Sequence, residues 1–592
     1  MWDLTRWKRK KKIPGQKQFE PRIKIMAYIF ILAGLLILGK LFDFQVLKFE
    51  FYAALASDQH EIYKQLFAER GSIYIKDKSD PIFNNQGNLY PLAINKDYNI
   101  VYAQPKYLEK TPEEIAAILA PLLQMSAEEL IPKLVKKDDP YEPLKHKVED
   151  SLAEEIKNLN IKGIQIAKET FRFYPEKNIG ANVLGYVGFD SNNQKRGLYG
   201  IEGYFDKELA GQQGEIQSEK DISGHLISLG EKKLVRAKDG SDIVLTLDKT
   251  IQYEVCSQLN DHGKVIQAES GAAIVMDPKT GAIIAMCSFP DFDPNEYSKV
   301  PDAGAYNNKA VFEAYEPGSI FKAVTMSAGL DLGVITPDTT YIDEGSVKID
   351  DFVIRNYDKL AHGKQTMTEV LQHSLNLGTI FVVRQMDKKD FKKYVEKFGF
   401  GKKIGIQLDQ ESAGNIESLN KKGEIFAATA SFGQGITATP LQMVQAFSII
   451  ANGGKLIKPY IVDEIKNSEG VEIKTPPAIP VQVIASKTAT LVTGMLVKVV
   501  EEGEGTKAKI PGYYLAGKTG TAQIPDYKYG GYSNKTNHSF VGFAPIKDPV
   551  FVMIIKYENP KKGSFASITT APLFGRLSKF ILDYYHIPPD AR

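Results

Sequence analysis

The stretch YEPGSIFKAVTM, residues Tyr315 to Met326, decides how the rest of the chain is interpreted. Pro317 and Gly318 break the preceding structure, and the apolar residues that follow predict a largely buried helix. Ser319 then lies at the helix N-terminus, with Lys322 one turn later on the same face. Burial disfavours the charged form of a lysine, and a neutral amine can accept a proton from serine. The stretch therefore predicts a nucleophile with a base beside it.

Ser-x-x-Lys is a weak signal by itself, and this chain contains a second copy. Ser418-Leu419-Asn420-Lys421 lies in a polar loop with no apolar helix behind it. No Gly-x-Ser-x-Gly elbow surrounds Ser319, so a triad with histidine, although not excluded, has no local support. Lys322 is the base whose sequence spacing places it next to Ser319.

Two further patterns follow downstream. Ser374-Leu375-Asn376 lies at a predicted break between helices, where a hydroxyl and an amide two residues apart can point into one cleft. Lys518-Thr519-Gly520-Thr521 lies in a predicted strand whose glycines let a ligand or another backbone approach closely. A second Lys-Thr-Gly sequence, Lys279-Thr280-Gly281, lies in a predicted hairpin turn, and we interpret these residues as turn formers and not as part of a site.

Length, composition and charge limit the classes of protein to which this chain can belong. A chain of 592 residues is too long for one core and suggests roughly two to four domains. Hydrophobic residues make up 43% and charged residues 25%, which is typical of a globular protein. A formal net charge of +2 gives no reason to expect nucleic acid as a partner. The eight histidines are scattered without ligand spacing, so neither a metal nor another cofactor is indicated.

The N-terminus combines positive charge with an apolar run. Residues 1–24 contain nine lysines and arginines against two acidic residues, and the apolar run 25–46 follows directly. We interpret the run as a transmembrane anchor and not as a cleaved signal peptide, because the cleavage-like sequence Ala54-Leu55-Ala56 lies too far beyond it. The positive-inside rule then predicts a short cytoplasmic tail and an exported remainder.

Residues 47–265 carry mixed helical and extended patterns without a recognisable set of catalytic groups. A helix is predicted to continue out of the membrane over 51–67. We interpret the whole region as a pedestal that holds something away from the membrane. The chain's two cysteines, Cys256 and Cys287, both fit small buried apolar positions; no disulfide framework is indicated, and the sequence leaves open whether they pair.

Residues 266–592 have the pattern of an α/β (α+β) domain on an antiparallel sheet. A hairpin around the turn Asp277–Gly281 opens the region. Helices are predicted at 319–330, from 366 to the break at 374, and at 377–383, 441–451 and 486–501. Strands at 513–523, 539–544 and 550–557 precede a helix at 570–585. Strands at both ends with helices between them indicate this fold class.

The three motifs occur in this order in one exported domain, and this arrangement resembles the penicillin-binding protein and serine β-lactamase superfamily. The decoys do not fit, because Lys279 precedes the nucleophile and Ser418 has no Ser-x-Asn suitably downstream. The resemblance implies a transpeptidase domain at 266–592 that contains an antiparallel sheet and a helical subdomain.

A wider resemblance, to the class B (monofunctional) penicillin-binding proteins, covers nearly the whole chain. It rests on Arg70-Gly71-Ser72-Ile73-Tyr74, Arg172-Phe173-Tyr174-Pro175 and Gly197-Leu198-Tyr199-Gly200-Ile201-Glu202, which are similar to that family's pedestal motifs. The family's usual turn after Arg-Gly is replaced here by the longer segment 76–87. The implied organisation is a tail (1–24), an anchor (25–46), a pedestal or dimerisation-type domain (47–265) and a transpeptidase domain (266–592).

Within class B, Glu316 and the sequence His538 to Pro545 are more like the division-specific peptidoglycan D,D-transpeptidases than the elongation enzymes. The elongation role remains the alternative. The resemblance implies peptidoglycan stem peptides ending in D-Ala-D-Ala as substrates and β-lactams as inhibitors. It also implies a SEDS-type glycosyltransferase and other divisome membrane proteins as partners in the bacterial inner membrane.

The resemblance also implies a role for each motif residue. Ser319 is expected to be the nucleophile, Lys322 its base, and Ser374 with Lys518 the route of a proton to the leaving group. Asn376, Thr519, Gly520 and Thr521 are expected to bind the acyl donor. The backbone amides of Ser319 and Thr521 are expected to form the oxyanion hole.

Rival interpretations come from several classes of protein. A β-lactamase needs a water-activating group and needs neither anchor nor pedestal. A bifunctional class A synthase needs a glycosyltransferase domain, which 47–265 does not match in length or pattern. A β-lactam sensor or a non-catalytic divisome scaffold remains as an alternative of another class; the complete motif set argues against the scaffold.

Overall fold

The computed structural model describes residues 20–43, 68–77, 88–136, 139–191, 194–218, 232–526 and 528–590. It divides into two compact units, Met1–Glu69 with Gly211–Asp239 and Arg70–Ala210 with Gly240–Arg592. The helix predicted over 51–67, most of the basic tail and most of the segment 76–87 lie outside the described residues.

The first unit contains the predicted apolar helix, which runs over Glu20–Phe42. Its segment Ile25–Phe42 has a mean hydropathy of 2.3, and none of it is buried. Within the described ranges this is the one helix that is long and apolar enough to cross a membrane. The unit also contains an antiparallel strand pair, Glu215–Ser218 with Lys232–Val235.

A seven-stranded sheet organises the first part of the second unit. Its strands, in spatial order, are Glu472–Lys474, Val462–Lys466, Asp242–Asp248, Ile73–Asp77, Asn88–Ala103 and Glu142–Val148, with Ile164–Phe173 also paired to the long strand Asn88–Ala103. The helices Pro112–Leu123, Ala127–Leu134 and Asp150–Asn158 pack their apolar faces beside it. Capping boxes at Thr111 and Ser126 fix the start of the first two helices.

The three pedestal motifs meet at one buried carboxylate. Glu202 is fully buried, accepts a hydrogen bond from Arg172 Nε at 2.7 Å, and accepts another from Arg70 Nε at 2.7 Å. Tyr174 donates its hydroxyl to the same carboxylate at 3.4 Å. Burial opposes ionisation of Glu202, but the charges and hydrogen bonds of Arg172 and Arg70 outweigh it and lower the pKa. Three segments that are far apart in the sequence are therefore joined at Glu202.

The second sheet has five antiparallel strands in the order Ile283–Phe289, Ser270–Met276, Phe551–Glu558, Tyr532–Ala544 and Ala516–Pro525. Side chains alternate between its faces, as the twofold strand period requires. Met553 and Ile555 face the helices Lys249–Ile266 and Ala566–Tyr584, whereas Val552 and Ile554 face the helical subdomain. The sheet is thus buried on both faces, and Ala516–Pro525 is an edge strand.

The helical subdomain follows the first hairpin. It contains the helices Lys322–Asp331, Met367–Gln372, Asn376–Arg384, Lys388–Lys397, Ile425–Ser431, Pro440–Ala451 and Ser486–Glu502. The segment between the helices Lys322–Asp331 and Met367–Gln372, which shows no strand pattern in the sequence, is not irregular. It forms two small antiparallel pairs, Thr340–Asp343 with Gly363–Thr366 and Ser346–Ile349 with Phe352–Arg355. Four-residue strands are too short to give a clear alternation.

Cys256 and Cys287 are buried, as expected, but they are not separate apolar groups. They form a disulfide that joins the helix Lys249–Ile266 to the strand Ile283–Phe289. The 31-residue separation alone gave no indication of this pairing, because only the packing of the helix on the strand brings the two sulfurs together.

Candidate active site

The first motif forms a tight turn against the edge strand. Gly318–Phe321 is one turn of 3-10 helix that leads into the α-helix Lys322–Asp331. Gly318 has φ +59°, and a Cβ added there would lie 2.8 Å from the Cβ of Ala522 on the edge strand. A glycine is required here by both the backbone angle and the close approach. Ser319 is consequently held at the wall of a cavity, half-buried.

Lys322 follows Ser319 by one helical turn in the chain and is fully buried. Its Nζ donates to the main-chain oxygen of Ser374 and, at 3.3 Å, to Ser374 Oγ. Burial, reinforced by the charge of Lys518, lowers the pKa of Lys322 well below its usual value, while Glu504 acts in the opposite direction. A lysine in this state can accept a proton.

Ser374 lies between the helices Met367–Gln372 and Asn376–Arg384, in a left-handed backbone conformation with φ +55°. The break in the helix turns its hydroxyl toward a second buried lysine, Lys518, whose Nζ donates to Ser374 Oγ at 3.0 Å. Burial lowers the pKa of Lys518, and Glu504 partly offsets this effect. Two lysines from different elements thus converge on one hydroxyl.

The edge strand contributes the remaining predicted residues. Thr519 Oγ1 donates to Glu504 Oε2 at 3.1 Å, and Thr521 Oγ1 accepts a hydrogen bond from the backbone N–H of Ala566 at 3.0 Å. Gly520 packs against the segment that carries Ser319; a Cβ added there would lie 3.1 Å from the oxygen of Pro317. The strand can approach Ser319 this closely only because that position is glycine.

These groups surround a cavity of about 660 Å³. Its lining includes five of the predicted site residues, Ser319, Ser374, Asn376, Thr519 and Thr521. Lys322 and Lys518 lie buried beneath the wall, in contact with Ser374, and Gly520 packs behind it. The structure therefore brings all eight predicted residues together.

The decoy motifs lie elsewhere. Lys279 occupies the turn of the hairpin and pairs with Asp548 at 2.5 Å. Ser418 lies in the separate 3-10 turn Glu417–Asn420, and neither residue lines the cavity. Among the described residues, no group of three or more His, Cys, Asp or Glu side chains is arranged to hold a metal ion.

Sequence reasoning missed Glu504 altogether and gave Glu316 no role at the site. Glu504 lines the cavity and lies 3.8 Å from Lys518 Nζ. Glu316, three residues before Ser319, accepts hydrogen bonds from Gly435 N and Tyr532 Oη, each at 2.9 Å. Burial raises the pKa of Glu316, although these two hydrogen bonds oppose the increase. The one signal for Glu504 in the sequence is its position between Gly503 and Gly505, shortly before Lys518.

Comparison with known proteins gives consistent matches along the chain. Residues 271–579 match the family described as penicillin binding protein transpeptidase domain, and residues 66–245 the penicillin-binding protein dimerisation domain. The chain is 35% identical to stage V sporulation protein D of Bacillus subtilis, over 84% of this chain and 77% of that protein. It is 30% identical to the peptidoglycan D,D-transpeptidase FtsI homolog of Mesostigma viride, over 98% of each. Penicillin binding protein 3 of Mycobacterium tuberculosis, in complex with aztreonam, superposes with a TM-score of 0.66 at 26% identity, over 89% of this chain and 99% of that one.

Proposed function

This chain belongs to the penicillin-binding protein family, with a dimerisation domain followed by a transpeptidase domain, and on that basis we propose that it is a peptidoglycan D,D-transpeptidase acting through a Ser319 acyl-enzyme. The observation that carries the proposal is the convergence of Lys322 and Lys518 on Ser374 beside the cavity that Ser319 lines. Such an arrangement supplies a nucleophile, a base and a proton route in one place.

In the acylation step, Ser319 Oγ attacks the carbonyl carbon of the penultimate D-Ala of a stem peptide. Its proton passes to the Nζ of Lys322, whose low pKa leaves it able to accept one. The backbone amides of Ser319 and Thr521 hold the oxyanion, and loss of one such donor typically costs on the order of 10² to 10³ in rate. The C–N bond to the terminal D-Ala then breaks.

The leaving amine needs a proton, and Ser374 delivers it with the help of Lys322 and Lys518. Asn376 holds the donor amide. The hydroxyls of Thr519 and Thr521, with the charge of Lys518, bind the terminal carboxylate of the donor. The amine of a second stem peptide attacks the ester carbonyl, which forms the cross-link and returns a proton to Ser319. A β-lactam mimics the donor and acylates the same serine.

The role in division rests on Glu316 and the His538–Pro545 sequence, with elongation as the alternative. A second candidate, wall synthesis during sporulation, is favoured by the relative named stage V sporulation protein D. SEDS-type glycosyltransferase and divisome partners belong to the division proposal. We also propose a cytoplasmic tail (1–24), an inner-membrane anchor (25–46), an extracytoplasmic pedestal (47–265) and a transpeptidase domain (266–592), in keeping with the apolar helix at the N-terminus.

The nucleophile is tested by labelling the full-length protein in membranes with a fluorescent penicillin. The wild type and Ser418→Ala, which removes the decoy serine, are expected to label equally. Ser319→Ala is expected not to label while retaining the wild-type melting temperature. Labelling of Ser319→Ala at the wild-type rate would show that another residue is the nucleophile.

The pathway is tested by depletion in the host. Filamentous cells are expected if the protein acts in division. Rounded cells would indicate elongation, and normal vegetative growth with defective spores would indicate the sporulation role.

A further inference from the structure

Glu504 is a carboxylate inside the cavity that the proposed mechanism does not use. It lies in the turn Gly503–Gly505, directly after the helix Ser486–Glu502. The backbone N–H of Glu504 donates to the oxygen of Gln372 at 3.1 Å, and a Cβ added at Gly503 would lie 2.6 Å from the same oxygen. The turn is therefore fixed against the segment that leads into Ser374.

The carboxylate contacts the groups assigned to the substrate's carboxylate. Thr519 Oγ1 donates to Glu504 Oε2 at 3.1 Å, and Lys518 Nζ lies 3.8 Å from the same oxygen. A hydroxyl donor next to an ammonium group is a binding site for any carboxylate. In the free protein this site already holds the carboxylate of Glu504.

Glu504 can leave this position. Its side chain is 29% exposed and lies at the cavity wall, whereas Lys518 is fully buried and cannot follow it. Displacement into the cavity mouth would move the carboxylate into water, where its charge is solvated. An incoming carboxylate could then take over the bond to Thr519 without leaving a buried charge unpaired.

We propose that Glu504 is a positioning residue that holds Thr519 and Lys518 in the free enzyme and gives way to the terminal carboxylate of the acyl donor. The inference rests on the proposed function of the site. A ligand carboxylate must then displace that of Glu504 before it can bind Thr519 and Lys518. The proposal makes Glu504 a brake on the binding of anionic donors.

The charge of Glu504 also acts on the two lysines. It raises the pKa of Lys518 and of Lys322 against the effect of burial. The other charged or titratable groups that line the cavity are Arg355, Tyr357, Lys359 and Tyr532, and burial and the charge of Glu504 raise the pKa of Tyr357. Removing the Glu504 charge should therefore move both lysine pKa values down.

The first test compares Glu504→Gln with the wild type in full-length protein, using a penicillin and its methyl ester. Because only the free acid competes with Glu504, the ratio of the acylation rates, acid over ester, is expected to rise about tenfold in the variant, the size of one charge-assisted hydrogen bond. Glu504→Thr, which has a shorter neutral side chain, should also raise this ratio. A ratio unchanged in both variants would overturn the proposal.

A matched control and a second readout separate this role from a structural one. Glu501→Gln removes the same charge from a residue that pairs with Lys509 and does not line the cavity, and it should change neither the ratio nor the pH profile. In Glu504→Gln the acid limb of the acylation profile is expected to move to lower pH. An acid limb that stays in place would contradict the proposal. Failure of Ser319→Ala to abolish acylation would instead refute the proposed function.

Discussion

Lys518 Nζ donates a hydrogen bond to Ser374 Oγ at 3.0 Å across 144 residues of sequence. Lys322 Nζ donates to the same hydroxyl at 3.3 Å. Because all three side chains are buried, this contact is stronger than it would be in water. Ser374 is therefore the connection through which a proton can pass between two lysines that do not lie on the same element.

Ser374→Ala should remove that connection and leave the nucleophile and its base in place. We expect acylation by a fluorescent penicillin to slow about 10²-fold or more, the usual contribution of a positioned proton-transfer group. Ser327→Ala is a suitable control, because the Ser327 hydroxyl donates to Ala323 within its own helix and does not reach the cavity. Acylation of Ser374→Ala at the wild-type rate would exclude the proton route.

The pH dependence of acylation provides a test of the base. Lys322 must be neutral to accept a proton, so the rate rises as the pH rises through its pKa. Lys518 is one cause of the low pKa of Lys322, after burial. In Lys518→Gln the loss of that positive charge favours protonated Lys322, and the acid limb should move to higher pH by about 1 unit or more. The shift is measured on the residual rate, and a shift to lower pH would contradict the assignment of Lys322 as base.

Sequence reasoning predicted the residues of the candidate site because each of its motifs is local. Ser319 and Lys322 are one turn apart, Ser374 and Asn376 flank a helix break, and the Lys518 motif lies on a single strand. Side-chain spacing within one element is fixed by the geometry of that element. The order of the three motifs then excluded the decoys without any knowledge of the fold.

Contacts between distant elements could not be predicted from the sequence. Glu504 reaches Thr519 only because a turn after one helix is fixed against another helix, and Cys256 pairs with Cys287 only because a helix packs on a strand. Neither of these sequence separations corresponds to a helix or strand repeat, so neither predicts a contact. In the pedestal, likewise, the three motifs could be quoted, but their meeting at Glu202 follows from the folded chain.

Glu202→Gln should weaken the pedestal severely. The substitution leaves the buried Arg172 beside a neutral group, whereas Arg70 keeps its ion pair with Asp206, and breaking a buried ion pair typically costs about 3 to 5 kcal/mol of unfolding free energy. Glu109→Gln, which breaks the exposed pair with Lys162, should cost less than about 1 kcal/mol. Melting of the full-length protein can be followed by tyrosine near-UV circular dichroism, because both tryptophans, Trp2 and Trp7, lie in the N-terminal tail. Equal melting temperatures for the two variants would mean that the Glu202 network is not a stabilising one.

His538 should make the transpeptidase domain less stable in mild acid. The residue is fully buried, its two ring nitrogens lie 2.9 Å from Thr569 Oγ1 and 3.0 Å from Thr536 Oγ1, and burial lowers its pKa from 6.5 to about 4. Between these two values the unfolded chain binds a proton that the folded chain does not, so the free energy of unfolding falls as the pH falls. The full effect below about pH 4 is roughly 3 kcal/mol, and much of it is already present at pH 5.

The matching variant is His538→Gln, which keeps a hydrogen-bonding side chain and cannot titrate. Its stability at pH 7.5 should be lower than that of the wild type, because the amide replaces the ring poorly in a close-packed site. Between pH 7.5 and pH 5, however, the variant should lose less stability than the wild type. Comparing the two proteins at both pH values cancels the contributions of all other titrating groups. If wild type and variant lost the same stability over this range, His538 would have to be protonated in the folded protein, which contradicts the effect of its burial.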